Sequence, residues 1–138
     1  MEYICDAPGD LTWFRLISEA EAAAESEAMR HAVEKHFRRE WDKAEEAYQP
    51  ATSVFIEQDI NKRAHIQRAM PLFLTLRNQD GQALVTAMLP PGGKGDGACI
   101  IVGPSNADPF AEHAASIRAL GEHFGLTLDR ARCYPYRR

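Results

Sequence analysis

The sequence predicts one α+β domain over residues 1–138: an antiparallel or mixed sheet of about five or six strands, with a long N-terminal helix and two shorter helices packed on it. Strand-like segments occur in runs instead of alternating strictly with helices, which is typical of this fold class. A chain of 138 residues is the size of one ordinary domain. Its content of 45% apolar and 26% charged residues is typical of a soluble protein with its own core.

The N-terminal segment predicts one strand and the start of a helix. Apolar and aromatic side chains cluster in residues 11–17, which predicts the strand. Ser18 follows, with Glu21 three positions later, and this capping-box pattern satisfies amides at a helix N-terminus. We therefore expect the first helix to begin after Ser18.

That helix is predicted to be long. From residue 19 to about residue 48 there is no Gly or Pro, and apolar side chains recur every three or four positions until Pro50. A helix of that length measures ~45 Å, whereas a compact domain of this size is roughly 37 Å across. The helix is therefore expected either to kink or to leave part of its apolar stripe projecting.

The remaining segments predict a short strand and a helix, a three-strand meander, and then a helix and a final strand. Asp80-Gly81 lies between two β-prone segments and is a strong hairpin signal. Asp108 and Pro109 are expected at the N-cap and first position of the last helix, with Gly125 just after its end. The predicted bounds are 52–57 for the short strand, 60–69 for the short helix, 72–77, 82–89 and 98–102 for the meander, and 126–133 for the final strand.

Charge and cysteine content exclude several classes of protein. Sixteen basic and 20 acidic residues give a net charge of −4, which argues against binding duplex DNA by neutralising its phosphates. Residues 1–50 carry 12 of the acidic and 6 of the basic residues, so the acidity is local. The three cysteines are far apart and form no CxxC pair, which predicts neither disulfides nor a zinc site. Without an apolar run for a membrane span or a basic signal peptide, we expect a cytoplasmic protein.

No motif predicts a catalytic or metal-binding residue. The five histidines form no i, i+4 pair, and His31 and His36 point about 140° apart on a helix, so they cannot chelate one metal together. Residues 103–107 resemble the G-x-S-x-G turn of hydrolases, but Ala107 replaces the last Gly and the chain is too short for a hydrolase sheet. We expect neither a metal nor a cofactor.

An alternative interpretation is a small acyl-CoA- or anion-binding enzyme, with its site at the Gly-rich loop of residues 90–97 and the start of the last helix. Helix N-termini offer free amides to anions, although Asp108 competes for them here. The element order is similar to that of acetyltransferases, but residues 103–109 replace their Gly-rich pyrophosphate-binding signature. The anion-binding residues of this alternative are Lys94, Ser105 and Asn106.

The leading interpretation is a non-catalytic protein-interaction module of adaptor, chaperone or inhibitor type that self-associates through the long helix. Secretion chaperones, which are small acidic α+β homodimers, are an analogy at the level of the fold, without matching residues. If the helix extends beyond the domain, its aromatic side chains must be buried against another chain. Aromatic residues are enriched at protein interfaces. A C-terminal segment that interleaves Arg and Tyr suits contact with an acidic protein surface. The predicted interface residues are Phe37, Trp41 and Tyr48 on the helix and Arg130, Arg132, Tyr134 and Tyr136 near the C-terminus.

Overall fold

The computed structural model describes residues 1–48 and 58–137, which form four α-helices and one six-stranded sheet. The strands are β1 (Glu2–Ala7), β2 (Leu11–Arg15), β3 (Leu72–Arg77), β4 (Ala83–Leu89), β5 (Cys99–Val102) and β6 (Cys133–Tyr134). The helices are α1 (Glu19–Met29), α2 (Val33–Ala47), α3 (Gln58–Ala69) and α4 (Phe110–Phe124). None of these helices is both long enough and apolar enough to cross a membrane.

The sheet keeps the order of the chain, from β1 at one edge to β6 at the other. Every neighbouring pair is antiparallel except β5 and β6, which run parallel. Parallel neighbours need a crossover connection, and α4 supplies it here. The predicted α+β class and mixed sheet are therefore confirmed.

The helices divide the core between the two faces of the sheet. On one face, α4 places Ile117 and Leu120 in a cluster with alternate strand residues such as Leu74, and the indole of Trp13 donates to the backbone oxygen of Ser116 at 2.8 Å. On the other face, residues of α1, α2 and α3 form a second cluster centred on Phe73. The sheet thus separates two hydrophobic clusters.

The single long N-terminal helix of the prediction is instead two helices, α1 and α2, separated by residues 30–32. Arg30 ends α1 in the left-handed region at φ 55°, and its backbone N–H donates to Ser26. The first amides of α2 then find side-chain acceptors, Ser26 Oγ for Glu34 at 2.8 Å and His31 Nδ1 for Val33 at 3.4 Å. These polar contacts compensate for the helical hydrogen bonds that the break removes.

Several predicted elements are confirmed. The hairpin of β3 and β4 turns at residues 78–81, with Gly81 at φ 78°. β5 lies within the predicted segment 98–102, and Gly125 ends α4 at φ 72°. The capping box also forms, because the amide of Glu21 donates to Ser18 Oγ at 3.2 Å.

Other elements differ from their predictions. Residues 2–7, predicted only as a short apolar piece before a breaker, form the edge strand β1 because Gly9 and Asp10 adopt positive φ and close a hairpin with β2. The final strand is β6 alone, not residues 126–133. The N-cap of α4 is Pro109 and not Asp108, although Asp108 Oδ1 still accepts from the amide of Phe110 at 2.9 Å. The predicted strand at 52–57 lies outside the described residues.

Packing around Phe37 predicts unequal costs for two aromatic truncations. Phe37 is 2% exposed and its ring contacts Phe73 at a centroid distance of 5.3 Å, whereas Trp41 stacks on Phe37 from outside and is only partly buried. Phe37→Ala should lower the free energy of unfolding by about 3–5 kcal/mol, and Trp41→Ala by about 1–2 kcal/mol. Denaturant melts at two protein concentrations measure both. Equal losses of stability in the two variants would contradict this packing. If the unfolding midpoint of the unmodified protein depends on protein concentration and that dependence disappears in Trp41→Ala, the Trp41 ring lies at an interface.

Candidate functional site

A fully buried carboxylate, Glu25 of α1, lies against the middle of the sheet. Thr75 and Thr86 are directly opposite each other on β3 and β4, and both hydroxyls donate to it, Thr75 to Oε1 at 3.0 Å and Thr86 to Oε2 at 2.5 Å. Arg77 Nη2 donates to Oε1 at 2.8 Å. Three donors and one opposite charge therefore compensate for the removal of this carboxylate from water.

A chain of hydrogen bonds connects Glu25 to His31, at the corner between α1 and α2. His31 Nε2 lies 2.9 Å from the hydroxyl of Thr86, and Nδ1 accepts from the amide of Val33. Because Nδ1 is an acceptor, the proton of the neutral ring belongs on Nε2, which donates to Thr86 while Thr86 donates to Glu25. Burial lowers the pKa of His31, although the charge of Glu25 opposes the shift. The ring is therefore neutral near pH 7.

His31 forms part of the wall of a half-open cleft of about 210 Å³ between the start of α2 and the strands β4 and β5. The sheet contributes an apolar floor because alternate residues of these strands point to this face. The polar lining groups are His31, His36, Arg39, Thr86 and Asn106, and the apolar ones are Ala32, Val33, Phe73, Ala87, Met88, Ile100 and Val102. None of these lining residues is acidic.

His36 and Arg39 are the basic side chains that α2 contributes to the lining of the cleft. The pKa of His36 is lowered, first by burial and then by the neighbouring charges of Arg39 and Lys35, with Glu40 acting in the opposite direction. The side chain of Arg39 is 62% exposed, and its Nη2 lies 3.7 Å from Glu40 Oε1, a loose ion pair. That distance exceeds a hydrogen bond, so the guanidinium keeps donors for another partner.

Several of the polar groups that line the cleft already have partners within the chain. Both ring nitrogens of His31 and the hydroxyl of Thr86 already have partners within the chain. The described lining residues include no Cys, Ser, Lys or carboxylate, and His36 is the second imidazole of the cleft. No three His, Cys, Asp or Glu side chains lie close enough to hold a metal ion in residues 1–48 and 58–137.

The three residues of the anion-binding alternative do not share one site. Asn106 lines the cleft, but Lys94 and Ser105 do not, and both are exposed. The Gly-rich loop is fixed from the other side, because Arg132 Nη2 donates to the backbone oxygens of Gly97 at 2.8 Å and Gly95 at 3.4 Å. The N-terminal amides of α4 are not all available to an anion either, because Asp108 Oδ1 accepts from the amide of Phe110.

The predicted helical interface residues lie over the second cluster. Phe37 is covered within the chain, and Tyr48 packs on His65 at a centroid distance of 5.2 Å. Trp41 lines a groove of about 400 Å³ between α2 and α3, where its indole donates to Glu45 at 3.3 Å. Whether these residues also meet a second chain stays a prediction.

The predicted C-terminal interface residues make local contacts at the far edge of the sheet. Arg130 pairs with Asp108 and lies over the ring of Tyr136, 4.7 Å from its centroid. Tyr136 packs edge-on against Phe110 at 5.6 Å. Tyr134 is 42% exposed on β6. Together with Arg132 these side chains attach the C-terminal segment to α4 and the Gly-rich loop, away from α2.

Glu25, its partners and the cleft are not among the residues predicted from the sequence. One signal was available, because Glu25 falls on the buried face of α1 with Ala22 and Met29, at helical spacing. A carboxylate on an apolar face predicts a buried charge that needs a partner. The identity of that partner depends on how α1 crosses the strands. The spacing of residues along α1 gives no information about that crossing.

Comparison with protein-family models, curated proteins and solved structures finds no match to this chain. The function of the cleft is therefore inferred from its own side chains.

The bridge between Glu25 and His31 predicts different effects for two threonines. Thr86→Val and Thr75→Val each remove one hydroxyl from the buried carboxylate, and each should lower the free energy of unfolding by about 1–3 kcal/mol. Only Thr86 contacts His31. Loss of that acceptor should lower the pKa of His31 further, because the hydroxyl oxygen stabilises the protonated ring more than the neutral one. NMR titration should show an unchanged His31 in Thr75→Val, and an equal shift in both variants would contradict the bridge.

Proposed function

We propose that this chain is a non-catalytic binding protein whose cleft between α2 and the strands β4 and β5 takes a small organic anion. One observation supports the proposal: the cleft combines an apolar floor with basic and neutral polar groups and no acidic lining residue. The chain as a whole carries 20 acidic and 16 basic residues, so the lining departs from the composition of the protein. Apolar pockets with a few convergent polar groups are the usual form of small-molecule sites.

The charge of the cleft favours an anion over a cation or a neutral molecule. Arg39 carries a permanent charge at the mouth, and His36 lies beside it with a lowered pKa. A bound anion would oppose the repulsion from Arg39 and Lys35 that disfavours the protonated ring. Binding is therefore coupled to proton uptake by His36, and affinity increases as the pH falls toward the ordinary pKa of 6.5.

Binding of 8-anilinonaphthalene-1-sulfonate, an apolar aromatic anion, tests this proposal. Arg39→Gln should weaken binding about tenfold, since a charged hydrogen bond is worth roughly 1.5–3 kcal/mol. Arg38→Gln is the matched control, because Arg38 is the adjacent arginine but pairs with Glu19 outside the cleft. The fluorescence titrations should also show tighter binding at pH 6 than at pH 8. No saturable binding, or an equal loss in both variants, would contradict the proposal.

A second candidate is the cytoplasmic, self-associating protein-interaction module that the sequence suggests. The observation that favours it is Tyr134 on the outermost strand, which remains 42% exposed with the guanidinium of Arg137 over its ring at 5.6 Å. Exposed Tyr and Arg side chains are enriched among the anchors of protein interfaces. β6 is also an edge strand of the sheet.

Light scattering after size-exclusion chromatography tests this second candidate. Self-association through the β6 edge should weaken in Tyr134→Ser, and it should weaken in the intact protein when ionic strength increases from about 0.05 to about 0.5 M. Tyr3→Ser is the matched control, because Tyr3 is 58% exposed at the opposite edge of the sheet. A monomer at every micromolar concentration would refute the candidate, as would equal effects of the two substitutions.

A further inference from the structure

We infer that the ligand of the cleft is a monocarboxylate with an apolar body, its carboxylate held at the mouth by Arg39 and His36 and its body lying on the floor formed by Met88, Ile100 and Val102. This inference rests on the proposed function and specifies the class of anion. It follows from the donors present at the cleft, from the number of charges there, and from the hydrogen bonds that already engage His31 and Thr86.

The cleft provides side-chain donors but few backbone amides. The first two amides of α2 donate to His31 Nδ1 and Ser26 Oγ, and the first amide of α4 donates to Asp108. Phosphate groups are typically bound by such amides at helix N-termini. A planar carboxylate instead fits the two parallel donors of a guanidinium, and Arg39 is the lining residue that carries one.

The charge at the mouth matches a single negative charge. Arg39 is the one Lys or Arg among the described lining residues, so it supplies the one permanent positive charge there. Glu40 lies 3.7 Å from Arg39 and would repel a second negative charge on the same ligand group. Glu25 carries its charge beneath the cleft and is neutralised by Arg77. A monoanion is therefore favoured over a dianion.

The inner part of the cleft favours an apolar end of the ligand. Of the polar groups that line the cleft, Thr86 contacts Glu25 and His31 contacts Thr86, so their hydrogen-bonding atoms already have partners in the chain. A second polar group on the ligand would lose its water there without gaining a protein partner, which costs free energy. Met88, Ile100 and Val102 instead offer dispersion contacts and remove apolar surface from water.

Calorimetric titration with a matched series of probes tests the inference. Octanoate should bind at least about tenfold more tightly than octyl phosphate, which has the same chain and a doubly charged head, and than suberate, which has a second carboxylate at its far end. Acetate should bind weakly because it lacks the chain, and octanamide because it lacks the charge. In Arg39→Gln the advantage of octanoate over octanamide should disappear, while Arg38→Gln should retain it.

The possible failures are distinguishable. Tighter binding of octyl phosphate or suberate than of octanoate overturns the carboxylate assignment but leaves anion binding in place. Tighter binding of an N-acetylated peptide with a free C-terminal leucine shows that the cleft is a peptide site and also overturns the assignment. If neither octanoate nor 8-anilinonaphthalene-1-sulfonate binds to the folded protein, the proposed function itself is wrong.

The apolar floor is tested by Val102→Thr, which conserves side-chain volume. The substitution should weaken the binding of octanoate about fivefold without changing the binding of acetate. Equal effects on both ligands would contradict contact between Val102 and the apolar body of the ligand.

Discussion

The arrangement of this protein depends on the burial of one carboxylate. Glu25 is 0% exposed, and an unpaired charge at such a depth would favour unfolding strongly. It is retained because β3 and β4 bring Thr75, Thr86 and Arg77 to the same point beneath α1. Since these three donors have fixed positions on paired strands, they determine where α1 crosses the sheet. The end of α1, and with it the corner that carries His31, is positioned by the same contacts.

The distribution of ion pairs explains how an acidic protein can contain a cleft without acidic groups. Three carboxylates of α1 are each engaged within the chain: Glu19 with Arg38, Glu21 with the N-terminal ammonium group, and Glu25 with Arg77. The acidic residues in the N-terminal part of the sequence are thus partly neutralised by these pairs, which weakens their negative potential at α2. The exposed pairs contribute little stability. Their consequence is electrostatic, because carboxylates that are paired elsewhere in the chain add little negative potential at the cleft, which Arg39 lines.

Local signals in the sequence predict the elements better than the site. The β3–β4 hairpin, the capping box at Ser18 and the end of α4 at Gly125 depend on neighbours within a few positions, and the structure confirms them. The break between α1 and α2 was anticipated only as one outcome of helix length, because no Gly or Pro marks it and its amides are satisfied by the side chains of Ser26 and His31. The site depends on contacts between residues 50 or more positions apart, such as Glu25 with Thr75. Spacing along one element contains no information about them.

The separation of the core by the sheet has a spectroscopic consequence. The chain contains two tryptophans, and they lie on opposite faces: Trp13 is fully buried beneath α4, while Trp41 is partly buried beside Phe37 on α2. The indole of Trp13 has its hydrogen bond to Ser116 inside a dry environment, and that of Trp41 is in contact with solvent. Their emission therefore differs in wavelength and in access to soluble quenchers. Each face of the sheet therefore has its own intrinsic fluorophore. The tryptophan emission of the unmodified protein, recorded during unfolding, reports which of the two hydrophobic clusters opens first.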